Sequence, residues 1–396
     1  MITAMKLNPT LRVGIVADDL TSATDGAGPF LAKGHAPLIA SRATGPDART
    51  VVSIDTNSRA LAPEAAATAT TKAVAALSGR DLLFKTIDST LRGHVQVEIA
   101  AALPASSRRR LVVAPAFPDA GRVTIGGVQL VHGVPVSDSD YGRDPVHPAR
   151  TSKISDLLDP SLGAPLILAP DSPDEVAARA ASAGVVILDA RSQAELNRQA
   201  ARIPDPGGAL WVGSPGLAIA LAALVPAAPS DPGEADAIGL RVLVVVGSAN
   251  PVSHAQADAL EAGPALVVSD LTSAPAAARI VCLRAPRGRQ TDPGEVLAAL
   301  ADQAAAAIAR RDFDVVIATG GETIAAILER LGVSSFTLVK ELEPGFPVGR
   351  AERAGEKPLI LAMKAGGFGG PQTLVRAANV LLGDPAEGKA TIHVKG

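Results

Sequence analysis

"FDVVIATGGETIAAILERLG", Phe313 to Gly332, passes from an uninterrupted apolar run through two glycines into a segment of different periodicity. The run Val315, Val316, Ile317, Ala318 has the continuity of a strand covered on both faces, as parallel sheets require. Beyond Gly321 the apolar residues Ile324, Ile327, Leu328 and Leu331 recur at helical spacing, and Gly332 supplies a stop. A buried strand turning directly into an amphipathic helix is the building unit of an α/β fold.

The same alternation fills the rest of the chain. Strand-length runs precede it at "LRVGIVA" (Leu11 to Ala17), "TVVSID" (Thr50 to Asp55), "DLLFKTID" (Asp81 to Asp88), "RLVVAPA" (Arg110 to Ala116), "PLILA", "GVVILDA", "ALWVG" (Ala209 to Gly213) and "LRVLVVVGS" (Leu240 to Ser248). Ala-rich stretches such as "PEAAATATTKAVAAL" lie between them and read as helices, Pro63 standing where the first turn cannot use an amide. At 396 residues the chain has room for two hydrophobic cores. The periodicity fails at Val225 to Gly239, where Pro, Gly and acids take over. The expected organisation is therefore α/β: two α/β domains, residues 1–226 and 240–396, joined by a linker at 227–239, with largely parallel sheets facing each other across a cleft.

Composition narrows the function. Aromatic residues are 2% of the chain, too few for a base-stacking platform, and 37 Lys plus Arg against 40 Asp plus Glu give a net charge of -3 with no basic stripe. Nucleic acid is not an expected partner. The single cysteine, Cys282 in "RIVCLRAP", reads as a buried strand thiol, and no run of about 20 apolar residues or signal-peptide pattern occurs. A cytoplasmic protein without membrane attachment is expected.

The two glycines of the opening stretch sit at a helix amino terminus, where unpaired amides and the helix dipole favour a phosphate. Two further turns of this type follow strands, "VVVGSANPVSHAQ" and "LAMKAGGFGGPQ". In a parallel sheet such turns converge on one edge, and three of them would form a nucleotide cradle. Each alone is as well explained by steric need for glycine. Neither G-x-x-x-x-G-K-[ST] nor G-x-G-x-x-G is present, so the cradle would be of another kind. Lys364, just before "AGGFGG", either approaches a phosphate or snorkels from a strand end.

In the amino-terminal half, "VADDLTSATDGAG" delivers Asp18 and Asp19 to the end of the first strand. They are candidates for orienting or deprotonating a substrate hydroxyl, against the plainer reading of a helix cap with a solvated neighbour. Gly26, Ala27 and Gly28 are expected to let the backbone approach a ligand. "FKTIDSTLRGHVQVEI" repeats the pattern with Asp88 and Arg92, whose guanidinium suits a carboxylate or phosphate unless it merely pairs with Glu98. "DTNSR" gives Asp55 and Arg59 at a third strand end. The long Gly- and Pro-rich segment from "APAFPDAGR" to "RDPVHP" reads as a rigid turn at Pro118 to Arg122 followed by a hairpin or lid; His132 and His147 within it lack metal-ligand spacing.

Taken together, "ADDLT", "DTNSR", "DSTLRG", "APAFPDAGR", "HGVPV" and "RDPVHP", followed by "GGET", "ELEPGFP" and "KAGGFG", resemble the four-carbon acid sugar kinases over nearly the whole chain and in the same order. The resemblance implies an amino-terminal domain for a small acid such as threonate, erythronate or an oxo-tetronate. It also implies a carboxyl-terminal domain for ATP with Mg²⁺, and transfer of phosphate to the terminal hydroxyl. It places Asp18, Asp19, Asp55, Arg59, Asp88 and Arg92 around the acid, and of these Asp18 and Asp19 are the catalytic candidates. Ser248, Gly320, Gly321, Glu322, Thr323 and Gly366 would hold the nucleotide. Ser22 and Thr319 depart from the familiar glycine and serine at these points, as does the stretch "GSANPVSHAQ". The expected partners are the sugar acid and ATP, with homodimer formation left open. A nicotinamide-dependent dehydrogenase lacks its fingerprint here, and a noncatalytic sugar-acid sensor would need no phosphate-binding turns.

Overall fold

The computed structural model describes residues 11–41, 49–144, 146–228, 238–248, 250–263, 265–275, 277–285, 292–353 and 355–383. Two compact units divide it, Met1–Pro232 and Gly233–Gly396. Most of the expected linker, residues 229–237, lies outside the described residues.

The first unit carries strands β1 (Val13–Ala17), β2 (Leu38–Ala40), β3 (Val51–Asp55), β4 (Leu82–Thr86), β5 (Arg110–Ala114), β6 (Arg122–Ile125), β7 (Val128–Val131), β8 (Val134–Pro135), β9 (Leu166–Leu168), β10 (Val185–Leu188) and β11 (Ala209–Gly213). Its helices are α1 (Leu20–Ala27), α2 (Pro63–Leu77), α3 (Val95–Ala105), α4 (Asp174–Ala178), α5 (Gln193–Ala201) and α6 (Pro215–Leu224). Eight strands pair in parallel in the order β2-β3-β1-β4-β11-β5-β10-β9. The central strands are buried along their whole length, which is why their sequences are continuous rather than alternating. With few aromatics available, Trp211, Phe30 and Phe84 fill the widest gaps, and Trp211 Nε1 donates to the Pro206 carbonyl at 2.9 Å. The expected hairpin is a three-stranded antiparallel sheet, β6-β7-β8. Gly121, at φ 71, closes the preceding turn because a Cβ there would stand 2.3 Å from the His132 ring.

One glycine expectation is corrected. Gly26 is buried against the sheet, and a Cβ on it would lie 2.9 Å from the Thr86 methyl. Its smallness lets α1 pack on β1 and β4, not the backbone approach a ligand.

The second unit carries β12 (Val242–Val246), β13 (Leu266–Val268), β14 (Ile280–Arg284), β15 (Val315–Thr319), β16 (Ser335–Glu341), β17 (Pro347–Ala351) and β18 (Leu359–Lys364), with α7 (Pro251–Glu261), α8 (Pro293–Ala309), α9 (Gly321–Arg330) and α10 (Thr373–Leu381). Strands β13-β14-β12-β15-β18 are parallel; β17 then runs antiparallel to both β18 and β16. The reversal is absent from the sequence reading because "PVGRA" has no apolar run: Gly349 sits where a Cβ would meet the Phe336 ring at 2.6 Å. Cys282 is buried in β14, and burial pushes its thiol up to about 12, which makes it inert. Among the described residues no helix is long and apolar enough to cross a membrane.

Candidate functional site

Unit 1 brings three polar strand ends together. Asp55 closes β3 in register with Ala17 of the neighbouring β1, Asp18 and Asp19 follow Ala17 directly, and Asp88 lies just beyond β4 on the other side of β1. This is the carboxyl edge of a parallel sheet at the point where successive connections leave β1 in opposite directions, the usual ligand position in such folds.

Arg59 organises the edge. Its Nε donates to Asp18 Oδ2 at 2.8 Å, Nη1 pairs with Asp19 Oδ2, and Nη2 reaches Ser22 Oγ at 3.3 Å. The turn that carries it is tied down by the Thr56 and Arg59 amides, which donate to the Ala17 and Asp18 carbonyls at 2.9 and 3.1 Å. Asn57 at φ 49 makes the bend, a left-handed conformation that asparagine tolerates. Asp19 also caps α1 through the Ser22 amide at 2.6 Å, so the capping reading holds for it as well.

The carboxylates are not equivalent. Burial opposes the charge of Asp18, but Arg59 and then Lys85 outweigh it and hold this carboxyl below its usual range. Asp18 Oδ1 is nevertheless buried without a hydrogen-bond partner among the described residues. Burial and the adjacent Asp18 push Asp19 up. Asp55 is raised to about 7 by burial, with the charges of Asp19 and Asp18 adding to it and the Asn57 amide at 2.8 Å opposing. One ionised carboxylate beside two that favour the proton is the pattern by which acid and base roles separate in a shared site.

The sign of the Asp55 effect is testable. A carboxyl whose folded pKa exceeds its unfolded one binds more protons folded than unfolded, so stability falls as pH rises from about 4 to about 7. Asp55→Asn is expected to flatten that slope. It should stabilise the protein at pH 8 by at most about 4 kcal/mol, the free energy of the shift from 3.8 to about 7, as read by urea unfolding across pH.

Asp88 and Arg92 form a second cluster. Arg92 Nε lies 2.5 Å from Asp88 Oδ2, and Nη1 reaches Asp144 Oδ2 at 3.2 Å. Asp88 also accepts from Thr90 Oγ1 and the Thr90 amide at 2.8 and 3.1 Å. The loop is strained at Leu91, which sits at φ 57, while Gly93 at φ 93 takes a conformation open to glycine; strain in a bulky residue is characteristic of sites that must present a group. Glu98, the alternative partner suggested for Arg92, turns instead to Lys85.

Sequence reasoning missed two residues here, Tyr141 and Asp144, and named His147 only to set it aside as a metal ligand. Tyr141 lies under the Arg92 guanidinium at 5.1 Å and under that of Arg122 at 5.8 Å, and Arg122 Nη2 donates to its hydroxyl at 3.2 Å. Asp144 fixes Arg92 from 52 residues away. His147, from the same segment, packs edge-on against His94 at 5.3 Å. The lone tyrosine of the chain was the available signal.

Unit 2 brings the three Gly- or Ser-bearing turns together. Val246, Thr319 and Lys364 end adjacent parallel strands in mutual register, so Gly247–Ser248, Gly320–Gly321 and Ala365–Gly366 emerge side by side. Gly320, at φ 93, begins α9, whose amino terminus has no side-chain cap. A Cβ on Gly366 would stand 2.1 Å from Ser248 Oγ, and one on Gly247 would stand 2.4 Å from Thr323 Oγ1. Ser253 Oγ and Gln256 Nε2 of α7 donate to the Gly366, Phe368 and Gly370 carbonyls at 2.8 to 2.9 Å and pin the glycine-rich loop. Thr319 Oγ1 is buried without a partner among the described residues. Lys364 is buried rather than snorkelling: Nζ donates to the Ala365 carbonyl at 3.0 Å, and burial, opposed by Glu343, brings its pKa down to about 8. Uncapped amides, bare glycines and an orphan hydroxyl are what a phosphate chain requires.

Comparison with known proteins agrees with this division. Residues 13–221 match a sugar-binding N-terminal domain and residues 276–374 a nucleotide-binding C-terminal domain. The chain is 35% identical to a D-threonate kinase of Bordetella bronchiseptica over 93% of its length and 97% of the relative's. It is 29% identical to a 3-oxo-tetronate kinase of Methylobacterium radiotolerans, covering 94% and 100% of the two chains. A D-erythronate kinase of Heliobacterium modesticaldum is 35% identical over 63% of this chain and 60% of its own. In fold, crystal structures of proteins from Salmonella typhimurium LT2 and Haemophilus influenzae superpose with TM-scores of 0.78 and 0.74 at 23% and 20% identity, over 93% of this chain and 99% or more of theirs. With a sugar-binding domain before a nucleotide-binding one and relatives matched nearly end to end, the chain belongs to the four-carbon acid sugar kinase family.

Proposed function

We propose that this protein transfers the terminal phosphate of ATP to the terminal hydroxyl of a four-carbon sugar acid of the threonate, erythronate or oxo-tetronate type. The observation that carries the reading is one buried polar atom in each unit that has no partner among the described residues: Asp18 Oδ1 in the acid cluster and Thr319 Oγ1 beside the α9 terminus, which has no side-chain cap.

Asp18, kept ionised by Arg59 and Lys85, accepts the hydrogen of the reacting hydroxyl and aims its oxygen. A weakly basic carboxylate suffices because phosphoryl transfer proceeds through a loose transition state in which the nucleophile gains little positive charge early. Arg92 has Nε and Nη1 committed to Asp88 and Asp144, which leaves Nη2 for the acid's carboxylate. The amides of Gly321 and Glu322 and the Ser248 hydroxyl hold the phosphates, while the Gly320 and Thr323 amides brace the turn by donating to the Lys364 and Gly320 carbonyls at 2.8 and 3.2 Å. Among the described residues no group of three His, Cys, Asp or Glu is placed to hold a metal, which fits Mg²⁺ arriving on the nucleotide; Glu322 is the one acid in the first turn of α9. Bound Mg²⁺ would neutralise charge on the phosphates. Transfer demands that the acid's terminal hydroxyl and the terminal phosphate of ATP come within bonding distance in the ternary complex. Homodimer formation is compatible with this reading.

The test is ADP release from ATP and Mg²⁺ with a panel of four-carbon acids, and phosphorus NMR of the product. Turnover of at least one acid, phosphorylated at its terminal oxygen, is expected. Asp18→Asn is expected to lower kcat on the order of 10²-fold with the nucleotide KM unchanged. Absence of ADP release with every acid would refute the kinase reading and leave a sensor.

A further inference from the structure

Lys85 of β4 is fully buried, between Val16 of β1 and Val212 of β11 in the sheet register. Its neighbours on the same face, Leu83 and Ile87, belong to the apolar core that Val95 and Ile99 of α3 complete. An ammonium in that setting is met by Glu98 of α3, 2.8 Å away and equally buried, and donates to the Thr86 carbonyl at 2.7 Å. The other Glu98 oxygen accepts from Ser58 Oγ, also fully buried. Thr56 Oγ1 lies 2.8 Å from Ser58 Oγ and 2.7 Å from the Ala17 carbonyl. A continuous polar chain thus runs from the middle of the core to the end of β1, passing through the residue that precedes Arg59.

Stability does not account for this chain. Desolvating two charges costs several kcal/mol each, and apolar residues of similar size in place of a buried pair are commonly as stable or more so. What the pair touches does account for it. Ser58 sits in the turn that presents Arg59, and the Lys85 charge joins that of Arg59 in opposing the burial of Asp18. The groups around Asp18 are then Arg59 from the turn after β3, Lys85 from β4, Asp19 from the start of α1 and Asp55 from β3. Resting on the kinase reading, we infer that Lys85 and Glu98 are positioning residues: through Ser58 they fix where Arg59 stands between Asp18 and Asp19, and so the geometry of the sugar-acid site.

The full-length chain is compared with Lys85→Met/Glu98→Met, which removes both charges together, and with Ser58→Ala, which cuts the link and leaves the ion pair. The parent must first turn over a four-carbon acid; failure there sinks the kinase reading, not this one. Expected for the double variant is an unfolding midpoint at or above the parent's with kcat/KM for the acid down on the order of 10²-fold. Ser58→Ala is expected to fold and to raise the acid KM about tenfold, with the ATP KM unchanged in both variants. A conservative Ser58→Thr, which keeps the hydroxyl, should recover part of the loss. The inference is overturned if Ser58→Ala retains the parent's acid KM and kcat, or if the double variant loses stability and activity in parallel.

Discussion

Replacing Arg59 by alanine is expected to abolish measurable turnover and to destabilise unit 1 by about 3 kcal/mol at neutral pH. The side chain pairs with Asp18 and Asp19, of which Asp18 is almost fully buried, so its removal strands a carboxylate rather than deleting a surface contact. Without Arg59 the charge that offsets the burial of Asp18 is halved to that of Lys85, and Asp19 and Asp55 lose their counter-charge too. Their folded pKa values then rise, the folded state takes up protons, and stability falls with rising pH. The deficit should be small below the ordinary carboxylate value and full above the new folded values. Arg59→Ala combined with Asp18→Asn should recover most of the stability and none of the activity. Urea unfolding at pH 4 and pH 8 beside an ADP-release assay checks all three statements. A single variant as stable at pH 8 as the parent would show that the pair is not electrostatically important.

Gly366→Ala is expected to raise the ATP KM on the order of 10²-fold while the fold and the acid KM stay as they are. The new Cβ would stand 2.1 Å from Ser248 Oγ and 2.9 Å from Ser248 Cβ. Rotating the hydroxyl away relieves the first clash but not the second, so one of the two turns must shift. Gly370, four residues on, has nothing within 4 Å of a built Cβ, and Gly370→Ala should be neutral. Gly366→Ala/Ser248→Gly returns the space and should restore part of the affinity. Nucleotide titration by calorimetry separates these variants, and an unchanged ATP affinity for Gly366→Ala would remove this turn from the cradle.

Sequence and structure part company at identifiable places. Strand ends such as Asp18, Asp55 and Thr319 were legible because an apolar run announces a buried strand and the polar residues that follow must lie at its end. Nothing local announced that Gly26 serves helix packing, since the Thr86 methyl it accommodates lies 60 residues on. Arg92 was legible as an anion-binding type, but its grip by Asp144 and its stacking on Tyr141 come from a segment about 50 residues away. Glu98 illustrates the limit most plainly: nearness in sequence offered it to Arg92, and the packing of α3 in the core gave it to Lys85.

The alternation of strands and helices, with acids at the ends of early strands and glycines at the ends of late ones, was determined by the sequence itself, because periodicity and turn chemistry act within a few residues. Tertiary structure alone decided which charges became partners. Ion pairs such as Arg59 with Asp18, or Lys85 with Glu98, depend on which strands lie side by side and on how deeply each group is buried. Burial works against the charge of both Asp18 and Asp55, but Arg59 and Lys85 keep Asp18 ionised while Asp55 holds its proton to about 7, a difference that two aspartates carry nowhere in their own chemistry.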